Sequence, residues 1–411
     1  MSVSAFFKCK KTIARLHTGP LGVYMKAYAE HLIAEGHCYQ SGARNIRVAA
    51  DYSAWLASKK YKVTDVNEAS ILKYEKFRQK NRHPFLSDHA ALIRLLIVLR
   101  ALNATAAATI VLDPLSQIIQ DFEQHLMQNH GLCETSVIRH RIPLRKFLWQ
   151  CCPDGVSCFS SLRGQDVRQF LVQHAHDQSP SSAKNMCWTL RAFARYLLYK
   201  GYTTYNLSSA VPSIRRWSLT TLPEHLSSNQ IQKVLNSCDT SSAVGLRDYA
   251  VLMLLSRLGL RANEIALLKL DDINWHAGNL NIRGKGRTLI ALPLLREVGA
   301  ALSDYLQNAR PKTDSRSVFV RSLAPHSQFA SSAGISQIAK AALLRAELTL
   351  KHKGTHIFRH SLATNLLQAG ASLSEIGQLL RHKSHDSTRI YAKVNIDGLR
   401  ALAMPWPGVA Q

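Results

Sequence analysis

Apolar residues recur three or four positions apart through the first 200 residues of this chain. That period predicts amphipathic helices. The clearest strand pattern is "NLNIRGKGRTLIALPL", where Leu280 and Ile282 alternate with polar residues before a Gly-Lys-Gly turn, as in a β-hairpin. At 411 residues the chain is also too long for one ordinary core. We therefore predict a mainly α, multidomain protein whose C-terminal domain is mixed α+β, mostly helical, with one hairpin.

A linker divides the predicted helices into two groups. The segment "LSSAVPSIRRWSLTTLPEHLSSNQ" has no clear period and contains Pro212 and Pro223, which is typical of a connection between domains. The stretch "LSSNQIQKVLNSC" then predicts a new helix with a serine cap. The predicted boundaries are an N-terminal helical module at 1–110, a second helical domain at 113–203, a linker at 204–223 and a C-terminal domain at 224–404.

The two N-terminal regions have similar sequences. Residues 28–56 align with residues 122–150 at an offset of 94 or 95, and an Asp-Val pair follows each copy. The matched positions are His31-Leu32 with His125-Leu126, Cys38 with Cys133, Trp55 with Trp149, and Asp65-Val66 with Asp166-Val167. The alignment indicates either a duplicated module or the general similarity of two amphipathic helix pairs.

The excess of positive charge points to a polyanionic partner. The chain contains 52 lysines and arginines against 27 acidic residues, a formal net charge of +25. Nucleic acid is the commonest partner of such a chain; an anionic membrane face and a generally basic surface are the alternatives. The candidate contacts are Lys184, Arg191 and Arg195 on one predicted helix, and Arg215 and Arg216 in the linker.

Cysteine spacing and hydropathy bear on the compartment. The eight cysteines form no C-x-x-C pair, which predicts reduced, mostly buried thiols in an intracellular protein. The first residues lack the apolar core of a secretory signal. The most apolar stretch, residues 90–112, is interrupted by Arg94 and Arg100, and two arginines are costly in a membrane span. We expect a buried helix that runs into a linker there, and a soluble, cytoplasmic protein.

Candidate chemical groups accumulate in the C-terminal domain. Arg261 precedes Glu264 by three residues at a predicted helix start, and taken alone it is most simply a surface arginine paired with that glutamate. Lys285 lies at the predicted hairpin tip, where a solvated turn lysine is the commoner case. The glycines beside it allow close approach of a phosphate, but this signal is weak by itself.

The segment "HIFRH", which starts at His356, is more informative. His356 and Arg359 are three residues apart and project from one helical face, while Phe358 and Leu362 face the core. His356 and His360 are four residues apart, a spacing that can hold zinc. The glutamate of an H-E-x-x-H motif and a third ligand are missing, so we expect no metal.

Two further residues complete a pattern. His382 ends a predicted helix and Tyr391 follows it; alone, they are a helix-terminal imidazole and a packed aromatic ring. Together, six residues occur in the order Arg261, Lys285, His356, Arg359, His382, Tyr391. In this the chain resembles the tyrosine recombinase, or phage integrase, family. The resemblance is close over about 224–404, through "GLRANEI", "RGKGR", "HIFRHSLATNLLQAG" and "LLRHKSHDSTRIYAKV", and looser over 113–203.

One position departs from the family pattern. Arg381 stands where the family usually has glycine, which tolerates a left-handed helix end better than arginine does. The departure affects the expected turn rather than the expected chemistry.

The resemblance implies a fold, an activity and partners. It implies N-terminal helical, SAM-like DNA-binding modules, with 113–203 as the core-binding domain and 1–110 as a further arm- or core-binding module. It implies site-specific recombination of double-stranded DNA in integration, excision or transposition of a mobile element. The implied active form is a homotetramer or heterotetramer on specific sites in the bacterial cytoplasm, without a membrane, metal or nucleotide cofactor.

The resemblance also assigns roles to the six residues. Tyr391 is the nucleophile and forms an O-(3′-phospho-DNA)-tyrosine intermediate, and Arg261 and Arg359 bind the phosphate through their planar forks. The remaining three are Lys285 as the acid for the departing 5′ oxygen, His382 as a donor to the phosphate, and His356 as an aid to proton transfer at the tyrosine.

Two other functions stay open at this point. A type IB topoisomerase-like enzyme would use the same residues to nick and reseal one duplex, as a monomer and without a specific site. A non-catalytic DNA-binding protein would keep only the scaffold, and the intact set of six residues argues against it.

Overall fold

The computed structural model describes residues 3–81, 86–107, 113–153, 155–214, 224–284, 289–351, 353–381, 388 and 390–391. The chain divides into two compact units, Met1–Ala107 with Thr221–Gln411, and Ala108–Thr220. The domain limits given above stay predictions.

The N-terminal part of the first unit is helical. Its helices are α1 Lys10–Leu16, α2 Met25–Ala34, α3 Tyr39–Ser58, α4 Glu68–Asn81 and α5 Leu86–Ala101. The apolar stretch predicted as a buried helix is largely α5, and both of its arginines are paired. Arg94 contacts Glu35 at 2.9 Å, and Arg100 donates to both carboxylate oxygens of Glu68 at 2.7 and 2.9 Å. Within the described residues, no helix is both long enough and apolar enough to span a membrane.

The described residues of the second unit form four long helices. They are α6 Pro114–His130, α7 Glu134–Cys151, α8 Gly164–Ala175 and α9 Pro180–Tyr199. Asp113 caps α6 and Ser179 caps α9, as their positions before a proline favour. Phe122, Phe147 and Phe193 are fully buried between these helices and form the centre of a separate core.

The order of elements is the same in the two N-terminal regions, and their duplication stays a prediction. Two helices, a 3₁₀ turn and two more helices occur both in α2–α5 and in α6–α9. Asp65 and Asp166 each accept a hydrogen bond from the backbone N–H three residues earlier, at 2.8 and 2.7 Å. The matched tryptophans differ, since Trp55 is buried against tyrosines whereas Trp149 is 64% exposed beside Arg145.

The C-terminal part of the first unit combines helices with a small sheet. Its helices are α10 Ser228–Asn236, α11 Ala243–Arg257, α12 Ala262–Ala266, α13 Arg296–Asn308, α14 Ala333–Arg345, α15 His356–Gln368 and α16 Leu373–Leu379. The strands are β1 Ile273–Asn274, β2 Asn279–Arg283 and β3 Leu289–Pro293, antiparallel in the order β1-β2-β3. Leu280 pairs with Leu292 and Ile282 with Ile290, so the predicted hairpin is confirmed.

The buried helix α11 lies at the centre of this part of the core. Residues 250–256 of α11 are all buried, and α11 packs against α13, α14 and α15. A helix that is apolar all round belongs inside a core. The chain leaves α11 at Gly259, which has φ +57°, and a Cβ there would lie 2.8 Å from Leu380 and 3.0 Å from Leu362. Glycine therefore allows the start of α12 to approach α15 and the end of α16 closely.

The cysteine prediction is partly wrong. All eight cysteines are free, but only Cys152, Cys187 and Cys238 are buried. Cys38 and Cys133 are exposed because they are the N-cap residues of α3 and α7, at the surface where those helices begin.

Candidate active site

Arg261 is the N-cap residue of α12, and Glu264 fixes it from the first turn. The backbone N–H of Arg261 donates to Glu264 Oε2 at 2.9 Å, and its Nη1 donates to Oε1 at 2.8 Å. The Glu264 side chain is 6% exposed and that of Arg261 37% exposed. The simple arginine–glutamate pair is therefore present, and it holds a guanidinium that solvent still reaches.

Arg359 lies in the first turn of α15 and is only 4% exposed. Its Nη1 donates to the carbonyl of Gly259 at 2.6 Å, and its Nη2 donates to the carbonyl of Leu380. Burial, followed by the charge of nearby Arg261, lowers the pKa of Arg359 to about 10, so its guanidinium stays charged at neutral pH. The connection between α11 and α12 and the C-terminal end of α16 thus hold the buried guanidinium of Arg359 beside that of Arg261.

Tyr391 is buried, with 1% of its surface exposed, and packs with Ala363, Ile376 and Leu380. Burial raises the pKa of its hydroxyl to about 12, although the guanidinium groups of Arg359 and Arg261 act in the opposite direction. The hydroxyl therefore keeps its proton at neutral pH.

His360 contacts the tyrosine hydroxyl directly. The Nδ1 atom of His360 lies 2.9 Å from Tyr391 Oη, and the ring centroids are 5.6 Å apart. Burial, His356 and Arg359 together lower the pKa of His360 to about 4, so its imidazole is neutral at pH 7. In the tautomer that carries its proton on Nε2, this neutral imidazole accepts a hydrogen bond from the Tyr391 hydroxyl at Nδ1. From the sequence, His360 is a candidate only for zinc binding. Its contact with Tyr391 could not be predicted, because no local pattern links residues 31 positions apart.

His356 occupies the exposed start of α15. Its ring centroid lies 6.4 Å from that of His360. Partial desolvation of its imidazole, followed by the positive charges of Arg359 and Arg261, lowers the pKa of His356. The prediction that His356 and Arg359 lie together on one face of a helix holds, with Phe358 buried in the core.

The structure brings four of the six predicted active residues together: Arg261, His356, Arg359 and Tyr391. The two arginines donate to the consecutive carbonyls of Arg381 and Leu380, and Tyr391 packs on Leu380. His356 joins them through His360, which contacts Tyr391. Lys285 and His382 lie outside the described residues. Arg381, where glycine was expected, has φ +54°, so the left-handed helix end is present despite the arginine.

The predicted DNA contacts on α9 are not equivalent. Lys184 and Arg195 are exposed, whereas Arg191 is partly buried and donates to the carbonyls of Val211 and Pro212 at 3.0 and 3.1 Å. The linker residues Arg215 and Arg216 lie outside the described residues.

Comparison with known proteins places this site in a family. The model of the phage integrase family matches residues 224–397. The integrase/recombinase y4rA of Sinorhizobium fredii is 38% identical over 410 residues, 99% of each chain. The tyrosine recombinase XerD of Listeria monocytogenes is 30% identical over 285 residues, 68% of this chain and 95% of that one.

A solved structure agrees at the level of the fold. The crystal structure of a lambda integrase tetramer bound to a Holliday junction has a TM-score of 0.51 at 18% identity, covering 72% of this chain and 80% of that chain. The similarity to y4rA runs the full length of the chain, and the family match spans all four residues assembled above. The chain belongs to the phage integrase family and is a tyrosine-type site-specific recombinase.

Proposed function

We propose that this recombinase cuts DNA through a covalent 3′-phosphotyrosyl intermediate on Tyr391, in the integration, excision or transposition of a mobile element. The observation that carries the proposal is the buried Tyr391 hydroxyl, hydrogen-bonded to a neutral His360 beside the charged Arg261 and Arg359. A nucleophile, a proton acceptor and two phosphate-binding cations therefore meet at one place.

The two arginines bind the scissile phosphate. Planar guanidinium forks suit the non-bridging oxygens of a phosphodiester. Arg359 is fixed by two carbonyls and Arg261 by Glu264, so neither has to reorganise as charge builds up on the phosphorane. The solvent-accessible Arg261 receives the phosphate first, and the buried Arg359 contacts it from within the site.

Proton transfer accompanies the attack of the tyrosine. The Tyr391–phosphorus bond forms, the bond from phosphorus to the 5′ oxygen breaks, and the phenolic proton passes to Nδ1 of His360. Because the pKa of the Tyr391 hydroxyl is raised and that of His360 is lowered, full transfer of the proton before attack is unfavourable. The transfer therefore takes place as the phenolic oxygen bonds to phosphorus and becomes more acidic.

Lys285 and His382 complete the scheme as the family pattern implies. Lys285 protonates the departing 5′ oxygen, and His382 donates a hydrogen bond to the phosphate. Rejoining is the reverse reaction, in which the 5′ hydroxyl of a second strand attacks the phosphotyrosine and Tyr391 recovers its proton.

The relatives support the proposed mobile-element role and assembly. The integrase/recombinase y4rA matches this chain from end to end, whereas XerD leaves about a third of it unmatched. We assign 1–110 and 113–203 to DNA binding, with exposed Lys184 and Arg195 facing phosphates, Arg191 supporting the chain around Val211, and Arg215 and Arg216 assisting from the linker. The lambda integrase tetramer on a Holliday junction supports a tetramer on two specific DNA sites. A bacterial DNA recombinase of this kind acts in the cytoplasm.

Adduct formation tests this function. A labelled duplex from the flanks of the encoding gene is footprinted, and a nick is placed just 3′ of the protected centre so that cleavage releases a short 5′-hydroxyl fragment. The wild-type protein is expected to form a denaturation-resistant adduct at one position, in the presence of chelator. Adducts at every sequence, with relaxation of any supercoiled plasmid, would favour the topoisomerase-like activity. Binding without an adduct would leave only a DNA-binding scaffold.

Replacing His360 tests its assignment as the base. His360→Ala is expected to slow adduct formation by about 10²- to 10⁴-fold, as loss of a general base does. His356→Ala should have the smaller effect, because the imidazole in contact with Tyr391 Oη belongs to His360. His360→Gln offers a hydrogen-bond acceptor that cannot carry a proton, so it should be as slow as alanine.

A modified substrate distinguishes a defect in the general base from a defect in the general acid. With sulfur in place of the bridging 5′ oxygen, the leaving group needs no proton, and a defect in the general acid is relieved. Lys285→Ala should recover on this substrate, whereas His360→Ala should stay slow. Recovery of His360→Ala, or full activity of His360→Gln, would show that His360 is not the base.

A further inference from the structure

The turn after α16 holds both phosphate-binding arginines through consecutive carbonyls. The carbonyl of Leu380 accepts a hydrogen bond from Arg359 Nη2, and the carbonyl of Arg381 accepts one from Arg261 Nη2 at 3.5 Å. This arrangement needs the left-handed backbone at Arg381, where φ is +54°. Left-handed backbone is unfavourable for a residue with a Cβ, so something must stabilise it here.

The Arg381 side chain points back into the site. It is 4% exposed, its Nη2 donates to Glu264 Oε2 at 2.9 Å, and its Nη1 donates to the carbonyl of Leu379 at 3.3 Å. Glu264 is the same carboxylate that holds Arg261 through Oε1 and through the backbone N–H. One buried carboxylate is therefore shared between an arginine that binds phosphate and an arginine that does not.

Sharing the carboxylate limits how strongly it can hold Arg261. With Arg381 on Oε2, the Arg261 guanidinium is bound to Glu264 at one oxygen only. Oε2 also accepts the backbone N–H of Arg261, so without Arg381 its remaining lone pair would be open to a second guanidinium N–H of Arg261. A two-point pair would then draw that fork toward the protein and away from a phosphate.

We propose that Arg381 is a positioning residue, which occupies one oxygen of Glu264 and thereby keeps the Arg261 guanidinium directed at the scissile phosphate. This role rests on the proposed function, since it needs Arg261 to bind the phosphate. The backbone of Arg381 forms the left-handed turn, as glycine would. Its side chain also competes with Arg261 for Glu264, which glycine cannot do.

Glycine and alanine substitutions separate the backbone from the side chain. Arg381→Gly keeps the turn without strain and removes the guanidinium, while Arg381→Ala removes the guanidinium and keeps the strain. We expect both to slow adduct formation at saturating DNA by roughly 10- to 100-fold, the size of coupling common between contacting residues. We expect Arg381→Gly to be the more stable of the two in urea, and Arg381→Lys to recover part of the rate.

Two further measurements exclude a purely structural effect. In an Arg261→Ala background, Arg381→Gly should cause little additional loss, because the residue through which it acts is gone. On a methylphosphonate substrate, whose scissile linkage is uncharged, the difference between wild type and Arg381→Gly should shrink. Wild-type rates in Arg381→Gly, or equal losses with and without Arg261, would overturn the role of Arg381. Failure of the wild-type protein to form any adduct would instead overturn the proposed function.

Discussion

Tyr391→Phe is expected to abolish the denaturation-resistant DNA adduct, with a rate loss on the order of 10⁴-fold or more, as when other enzymes lose their nucleophile. The substitution removes only the hydroxyl that attacks phosphorus. The ring keeps its packing on Ala363, Ile376 and Leu380. His360 loses its hydrogen-bond partner, which costs about 1 kcal/mol of folding stability. The measurement is trapping on the nicked duplex in chelator, scored on a denaturing gel.

A second buried tyrosine serves as the matched control. Tyr305 is 1% exposed in the same part of the chain and stacks on Phe319, away from the active residues. Tyr305→Phe should form the adduct at the wild-type rate, and Tyr391→Phe should bind DNA as tightly as wild type. An adduct that persists in Tyr391→Phe, or one that requires zinc or magnesium, would contradict the assignment of the nucleophile.

Local patterns explain why much of the fold could be predicted. The β2–β3 hairpin depends on alternation over a few residues, and α10 starts with Ser227 bonded to the N–H of Gln230, a cap readable from the sequence. The position of Arg359 beside a buried Phe358 follows from helical spacing alone. These features involve residues close together in the chain.

Contacts between distant elements explain what the sequence could not give. The His360–Tyr391 hydrogen bond and the Arg381–Glu264 ion pair join residues 31 and 117 positions apart. From the sequence alone, Arg381 is an unfavourable replacement for glycine at a left-handed helix end. Its ion pair with Glu264 could not be predicted, because Glu264 lies in α12, far away in the chain. Periodicity gives the face on which a residue lies but not the side chain it meets there.

Arg359→Ala is expected to reduce adduct formation by at least about 10²- to 10³-fold, because it removes a fixed donor to the transition state. It also removes phosphate affinity, so DNA binding should weaken as well. Arg359→Lys retains the charge but not the fork and should recover only part of the loss. The rates are measured at saturating DNA, at a temperature where each variant is folded.

In Arg359→Ala, a lower folding stability has to be distinguished from a lower rate of the cleavage step. Arg359 satisfies the carbonyls of Gly259 and Leu380, and leaving buried carbonyls unpaired costs about 1 to 3 kcal/mol each. Arg310 is a matched control, since it also donates to backbone carbonyls, those of Ser315, Ser317 and Val318. Arg310→Ala should lower the free energy of unfolding comparably in urea while keeping the wild-type rate of adduct formation. Equal rate losses in the two variants would assign the effect of Arg359 to folding, because only Arg359 adjoins Arg261 and Tyr391 in the site described above.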